Sequence, residues 1–144
     1  MKVVLDTNVL GSALIAGEPS RGAALRLLEA LDDGGHEVFL PTVVVAELGV
    51  AFLQAGGSAE WAAFLATVRQ GRRYRTVALD LGLADSAARI RATVRMKLPD
   101  AIVAATAVGV GADLLVSDDP DLRKASNLLR VRTTRTALAV VRAA

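Results

Sequence analysis

The spacing of apolar positions changes repeatedly along the chain. "KVVL" (2–5) is an unbroken apolar run of strand length. A helical stretch follows near 8–16, then a Gly-Glu-Pro-Ser break at 17–20. A second helix is predicted over 21–32, where Ala24, Leu27, Leu28 and Leu31 recur at helical spacing. "EVFL" (37–40) reads as a strand ended by Pro41, with Thr42 placed to cap the helix "TVVVAELGVAFL". "GGS" (56–58) ends that helix, and Ser58 can cap another through about Gln70, with Trp61, Leu65 and Val68 on one side. "YRTVAL" (74–79) is a third strand, interrupted by Arg75. Residues 81–96 and 99–110 have helical period, "DLLV" (113–116) is a fourth strand and "LLRVR" (128–132) a fifth. Thr133 or Thr134 is placed to cap a last helix. Strands separated by helices pair in parallel through right-handed crossovers, so the expected fold is α/β, a three-layer α/β/α sandwich on a parallel sheet of about five strands.

No repeat, linker or low-complexity tract divides the 144 residues, and that length suits one domain, 1–144, with one core. Hydrophobic residues make up 53% and charged residues 22%, which excludes a disordered chain. Met1 to Leu10 lacks the apolar core and cleavage site of a leader, and no run reaches the roughly 18 apolar residues of a membrane helix, so a soluble, cytoplasmic protein is expected. There is no cysteine and one histidine, His36, so thiolate chemistry is excluded and a metal site has to be built from oxygen. A formal charge of +2 is too small to imply nucleic acid by itself.

Ligands of an open parallel sheet bind beyond the carboxyl ends of its strands, and acids stand there. Asp6 follows the first strand, "SDDPD" (117–121) follows the fourth, and Asp100 opens the helix leading into it. Each of these also reads as a capping or turn residue. Glu47 does not, because it lies mid-helix with Val43, Val44, Val50 and Ala51 as its helical neighbours. That spacing predicts Glu47 on the apolar face, where an unpaired carboxylate is costly. The alternatives are a buried arginine partner or a shared cation. Carboxylates that converge and stay ionised need a cation, and Mg²⁺ and Mn²⁺ are the ions that favour such oxygens.

"VVLDTNVL", "TVVVAELGVAF" and "LPDAIVAATAVGVGADLLVSDDPDL", in this order and at this separation, resemble the PIN-domain ribonucleases, especially the VapC-type toxins of toxin–antitoxin pairs. The likeness runs from residue 2 to about 132 and leaves the tail, about 133–144, without a role. It implies that Asp6, Glu47, Asp100 and Asp119 are the catalytic acids, that Asp6, Asp100, Asp119 and Asp121 hold Mg²⁺ or Mn²⁺, and that Asn8 and Ser117 support them. Asp118 and Pro120 depart from the family pattern and leave the choice among Asp118, Asp119 and Asp121 open, with Asp119 favoured.

The resemblance further implies hydrolysis of RNA to 5′-phosphate and 3′-hydroxyl ends and a small antitoxin partner. The aliphatic helices at 43–70 could supply a homodimer face. Arg69, Arg72, Arg73 and Arg75 form one basic run and Arg89, Arg91, Arg95 and Lys97 another; Arg72, Arg73, Arg95 and Lys97 are the candidate contacts to RNA. With only five aromatics, recognition would rest on shape and backbone, or on a folded RNA such as tRNA. Two other readings remain: a catalytically silent domain of this fold that binds RNA or protein, and a receiver-type signalling module, against which this chain carries no lysine in "RVRTT" after the fifth strand, where such a module would need one.

Overall fold

The structure, a computed structural model, describes all residues from Met1 to Ala144. In chain order the elements are β1 (Lys2–Leu5), α1 (Thr7–Leu14), α2 (Arg21–Asp33), β2 (Glu37–Pro41), α3 (Thr42–Gln54), α4 (Ser58–Gln70), β3 (Arg75–Val77), α5 (Leu81–Val94), α6 (Leu98–Gly109), β4 (Leu114–Val116), β5 (Val131–Arg132) and α7 (Thr134–Ala143). A 3₁₀ turn, Pro120–Ala125, separates β4 from β5. The strands form one all-parallel sheet in the order β3-β2-β1-β4-β5. Val3, Val4 and Leu5 of β1 and all of β4 are fully buried, as a sheet covered on both faces requires.

Right-handed crossovers explain the layers. The chain moves outward from β1 to β2 to β3 and then reverses to reach β4, so α5 and α6 cover the face opposite α1 and α2. α7 returns to pack on α2, while α3 touches α1, α4 and α6. The reversal of strand order between β1 and β4 opens a crevice at their carboxyl ends, where Leu5 pairs with Val116.

Several boundaries differ from the sequence reading for local reasons. β5 begins at Val131 rather than 128, because the amides of Leu128 and Leu129 turn back to the carbonyl of Ala125. β3 shrinks to Arg75–Val77: Tyr74 is drawn under Phe64, and Asp80 closes a turn onto the carbonyl of Ala78. Thr42 and Ser58 are the first residues of their helices and make no side-chain cap, Pro41 and Gly57 standing before them. Thr133 does cap α7, its hydroxyl accepting from the amide of Thr136. No helix is long and apolar enough to cross a membrane.

Candidate metal centre

Asp6 ends β1 and starts α1, so one residue serves both cap and cleft. It is 5% exposed. Its Oδ1 accepts from the Thr7 amide at 2.8 Å. Its Oδ2 accepts from the Ser117 hydroxyl at 2.6 Å and from the Asn8 amide nitrogen at 3.2 Å. Ser117 leaves β4 beside β1, and its hydroxyl also accepts from the Asp119 amide at 3.1 Å. Asn8 and Ser117 both donate to Asp6, and through these bonds they join the two strand ends into one network.

Asp100, Asp119 and Asp121 converge beside this network, each offering a carboxylate oxygen within 4.8 Å of the others. Asp100 is delivered by the first turn of α6; Asp119 caps the 3₁₀ turn by accepting from the Asp121 amide at 2.9 Å. Pro120 sits in the first turn of that short helix and directs Asp121 back toward Asp119. Lys124 lies 3.4 Å from Asp121. Asp6 falls outside the tight triad, its Oδ2 being taken up by Ser117 and Asn8.

The charges of these acids act on one another. Burial first, and then the charges of Asp119, Asp6, Asp121 and Glu47, push the Asp100 carboxyl up to about 6. Burial also raises Asp6, against the hydrogen bonds from Ser117 and Thr7 and with the charges of Glu47 and Asp119. Asp100 Oδ2 is buried with no hydrogen-bond partner. An acceptor buried without a donor beside two further carboxylates has the donor chemistry that suits a hard cation. The residues present thus fit Mg²⁺ or Mn²⁺, with Asp100, Asp119 and Asp121 as the converging donors.

Glu47 corrects the reading of its helix. It is exposed, not buried, because α3 is apolar on nearly every side and its apolar neighbours do not mark the buried face. Val44, Leu48, Gly49 and Phe52 form the buried stripe, whereas Val50 and Leu53 are each 54% exposed. No arginine pairs with Glu47; instead the Thr7 hydroxyl donates to its Oε1 at 2.9 Å. Its charge nevertheless reaches Asp6 and Asp100.

Asp118, left open by the sequence, faces elsewhere. Its two oxygens accept from the Thr134 amide at 2.8 Å and the Thr134 hydroxyl at 2.6 Å, at the start of α7. Arg72 and Arg73 precede β3 and so lie at the amino edge of the parallel sheet, opposite the acids. There Arg73 is 3.9 Å from Asp32 and Arg75 2.9 Å from Glu37. Arg95 and Lys97 are exposed in the turn before α6, on the same edge as Asp100. Arg95 occupies the left-handed region, φ 58°, to close α5. His36 stands at the amino edge with its Nδ1 3.0 Å from the Met1 amine.

Two residues with a part in the site were missed. Thr7 passed as the residue after an aspartate, and its position one residue beyond Asp6 was the signal available. Thr134 was considered only as a cap, since nothing in its own neighbourhood points to residue 118.

A family model described as the PIN domain matches residues 3–128. Among solved structures, the chain is similar to Mycobacterium tuberculosis VapC20, a sarcin-ricin loop cleaving toxin, with a TM-score of 0.73 and 22% identity over 90% of this chain and 98% of that one. It is similar to a chain of VapBC2 from Rickettsia felis bound to promoter DNA, with a TM-score of 0.71 and 17% identity over 92% and 98% of the respective chains. A toxin–antitoxin complex from Klebsiella pneumoniae gives 0.70 and 20% over 92% and 97%. At these identities the likeness is one of fold. A comparison with curated protein sequences found no match.

Proposed function

The chain belongs to the PIN domain family, and from that premise we propose that it is a divalent-metal-dependent endoribonuclease and the toxin of a toxin–antitoxin pair. The observation that carries the reading is the triad Asp100, Asp119 and Asp121, closing around a buried Asp100 oxygen that no donor satisfies.

Bound Mg²⁺ or Mn²⁺ supplies Lewis-acid activation of water and neutralises charge at a phosphodiester. Asp100, Asp119 and Asp121 would hold it. Asp6 completes the anionic floor, kept in one orientation by Ser117, Asn8 and the Thr7 amide. Glu47, tied at Oε1 by Thr7, stands exposed at the rim, where its carboxylate would orient the attacking water. Water is the proposed nucleophile, so RNA is cut without a covalent enzyme intermediate, and the family resemblance implies 5′-phosphate and 3′-hydroxyl ends. Arg95 and Lys97, on the acidic edge, are the residues proposed to meet the phosphates; the position of Arg72 and Arg73 at the far edge argues against that role for them.

The aromatic residues support recognition through shape and backbone. Phe52, Trp61, Phe64 and Tyr74 pack against one another with ring centroids 5.7–6.3 Å apart. A folded RNA such as tRNA fits this better than single strands laid on stacking platforms. The related structures include toxin–antitoxin complexes, which supports a small antitoxin in the cytoplasm as partner. Exposed Val50 and Leu53 on α3 would serve a homodimer.

Cleavage of total RNA and tRNA by the wild type, Asp6→Asn and Asp100→Asn in Mg²⁺, Mn²⁺ and EDTA tests the activity. Metal-dependent cutting by the wild type alone is expected. Equal cutting by all three proteins removes the nuclease, and metal binding without cutting leaves a silent RNA- or protein-binding module. Co-expression with the neighbouring reading frame, followed by sizing, tests the partners: a lone monomer would remove both antitoxin and dimer.

A further inference from the structure

We propose that Asp118 is a positioning residue: it clasps the amino terminus of α7 to the acidic loop, so that the C-terminal helix holds the metal centre in shape. The inference rests on the metal-nuclease reading for its importance, though the clasp itself stands on hydrogen bonds.

Asp118 lies between Ser117 and Asp119, one residue from each half of the site, yet neither of its oxygens faces the acids. Oδ1 accepts from the Thr134 amide at 2.8 Å and Oδ2 from the Thr134 hydroxyl at 2.6 Å. Thr134 is 2% exposed, so its hydroxyl and amide have little water to turn to if the half-buried bonds to the exposed Asp118 are lost. A carboxylate at the first turn of a helix also meets the positive end of its dipole. α7 is itself seated: Ala137 and Val141 are buried, and the helix packs on α2, β4 and β5. The Asp118 side chain therefore reaches a fixed support.

The Asp118 backbone carries that support inward. Its amide donates to Asn8 Oδ1 at 3.0 Å, and Asn8 Nδ2 donates to Asp6 Oδ2 at 3.2 Å and Ser117 Oγ at 3.3 Å. Asp119, the next residue, donates its amide to Ser117 Oγ and contributes its carboxylate to the triad. Loss of the clasp frees the loop that sets the separation of Asp119 and Asp121 from Asp100. Partners standing behind metal ligands in this way affect affinity by about 10–100-fold when removed.

Full-length wild type, Asp118→Ala, Asp118→Asn and Thr134→Val are titrated with Mn²⁺ by calorimetry. Metal-free samples are followed by hydrogen exchange over residues 117–125. Asn keeps an acceptor for the Thr134 amide and replaces the second oxygen with an NH2 donor, which the Thr134 hydroxyl can accept by rotating, so the clasp is retained while the charge is lost. The expected result is Mn²⁺ affinity within about two-fold of wild type for Asp118→Asn and about ten-fold weaker for Asp118→Ala and Thr134→Val. Exchange over 117–125 should be faster in the latter two alone. If Asp118→Asn binds as weakly as Asp118→Ala while Thr134→Val is unchanged, Asp118 is a ligand and the clasp is overturned. Wild-type affinity and exchange in every variant also overturn it.

Should the wild type bind no Mn²⁺, the metal-nuclease reading fails, and exchange in the metal-free proteins still decides the clasp. Should Asp118→Ala fail to fold, Thr134→Val and Asp118→Asn carry the comparison.

Discussion

Burial, reinforced by the charges of Asp119, Asp6, Asp121 and Glu47, moves the Asp100 carboxyl from 3.8 to about 6. The folded chain then binds that proton more tightly than the unfolded chain does, so the metal-free protein loses stability as pH rises from near 3.8 through about 6. Asp100→Asn removes the ionisation. Without metal it should be more stable than wild type at neutral pH by about 1–2 kcal/mol, solvent screening taken into account, with the gap closing in acid. Urea titrations in EDTA at both pH values measure this, and a less stable variant at neutral pH would refute it. At this scale residue identities showed which acids could matter, since Asp6 and the 117–121 group follow strand ends and Asp100 opens the helix that leads into β4. They did not show that Asp118 spends both oxygens on Thr134.

Helix α3 lies against α4 through a glycine. A Cβ at Gly49 would stand 2.6 Å from Trp61 Cζ2 and 3.0 Å from Cε2 and Cη2, so the close approach of the two helices depends on its absence. Gly49→Ala must displace the indole, which stacks on Phe64 and lies tilted against Phe52. The expected cost is about 1–3 kcal/mol, read as a lower urea midpoint with a shifted tryptophan emission. Metal affinity should be unchanged, because the acids lie on other elements or, for Glu47, on the exposed side of α3. The periodicity of 43–54 and 58–70 was enough to find both helices. Their contact was not legible, and neither was the orientation of α3, because a helix apolar on nearly every side has no continuous polar face to mark the outside.

In the whole molecule, the sheet order β3-β2-β1-β4-β5 brings β1 and β4 side by side and closes the acids on one edge. Repulsion within that edge destabilises the fold, and a bound cation offsets it. Mn²⁺ or Mg²⁺ at about a hundred times its dissociation constant should stabilise the protein by about 2.7 kcal/mol, an effect reversed by EDTA. The gain should grow as pH rises through about 6, where protons cease to compete for Asp100. Thermal melts with and without Mn²⁺ across that range check the slope; a gain independent of pH would place the ion elsewhere.

Sequence alone determined the alternation of strands and helices, the parallel sheet and the acids at its strand ends, because those follow from local periodicity and from the handedness of crossovers. Tertiary structure alone decided which carboxylates meet. Asp100, Asp119 and Asp121 bring carboxylate oxygens within 4.8 Å of one another, Asp118 turns to α7, Glu47 stands exposed on Thr7, and Arg72 and Arg73 fall at the opposite edge. The physical reason is that spacing along a chain sets where a side chain leaves its own element. What it meets depends on elements more than 100 residues away, such as Ser117 across from Asp6.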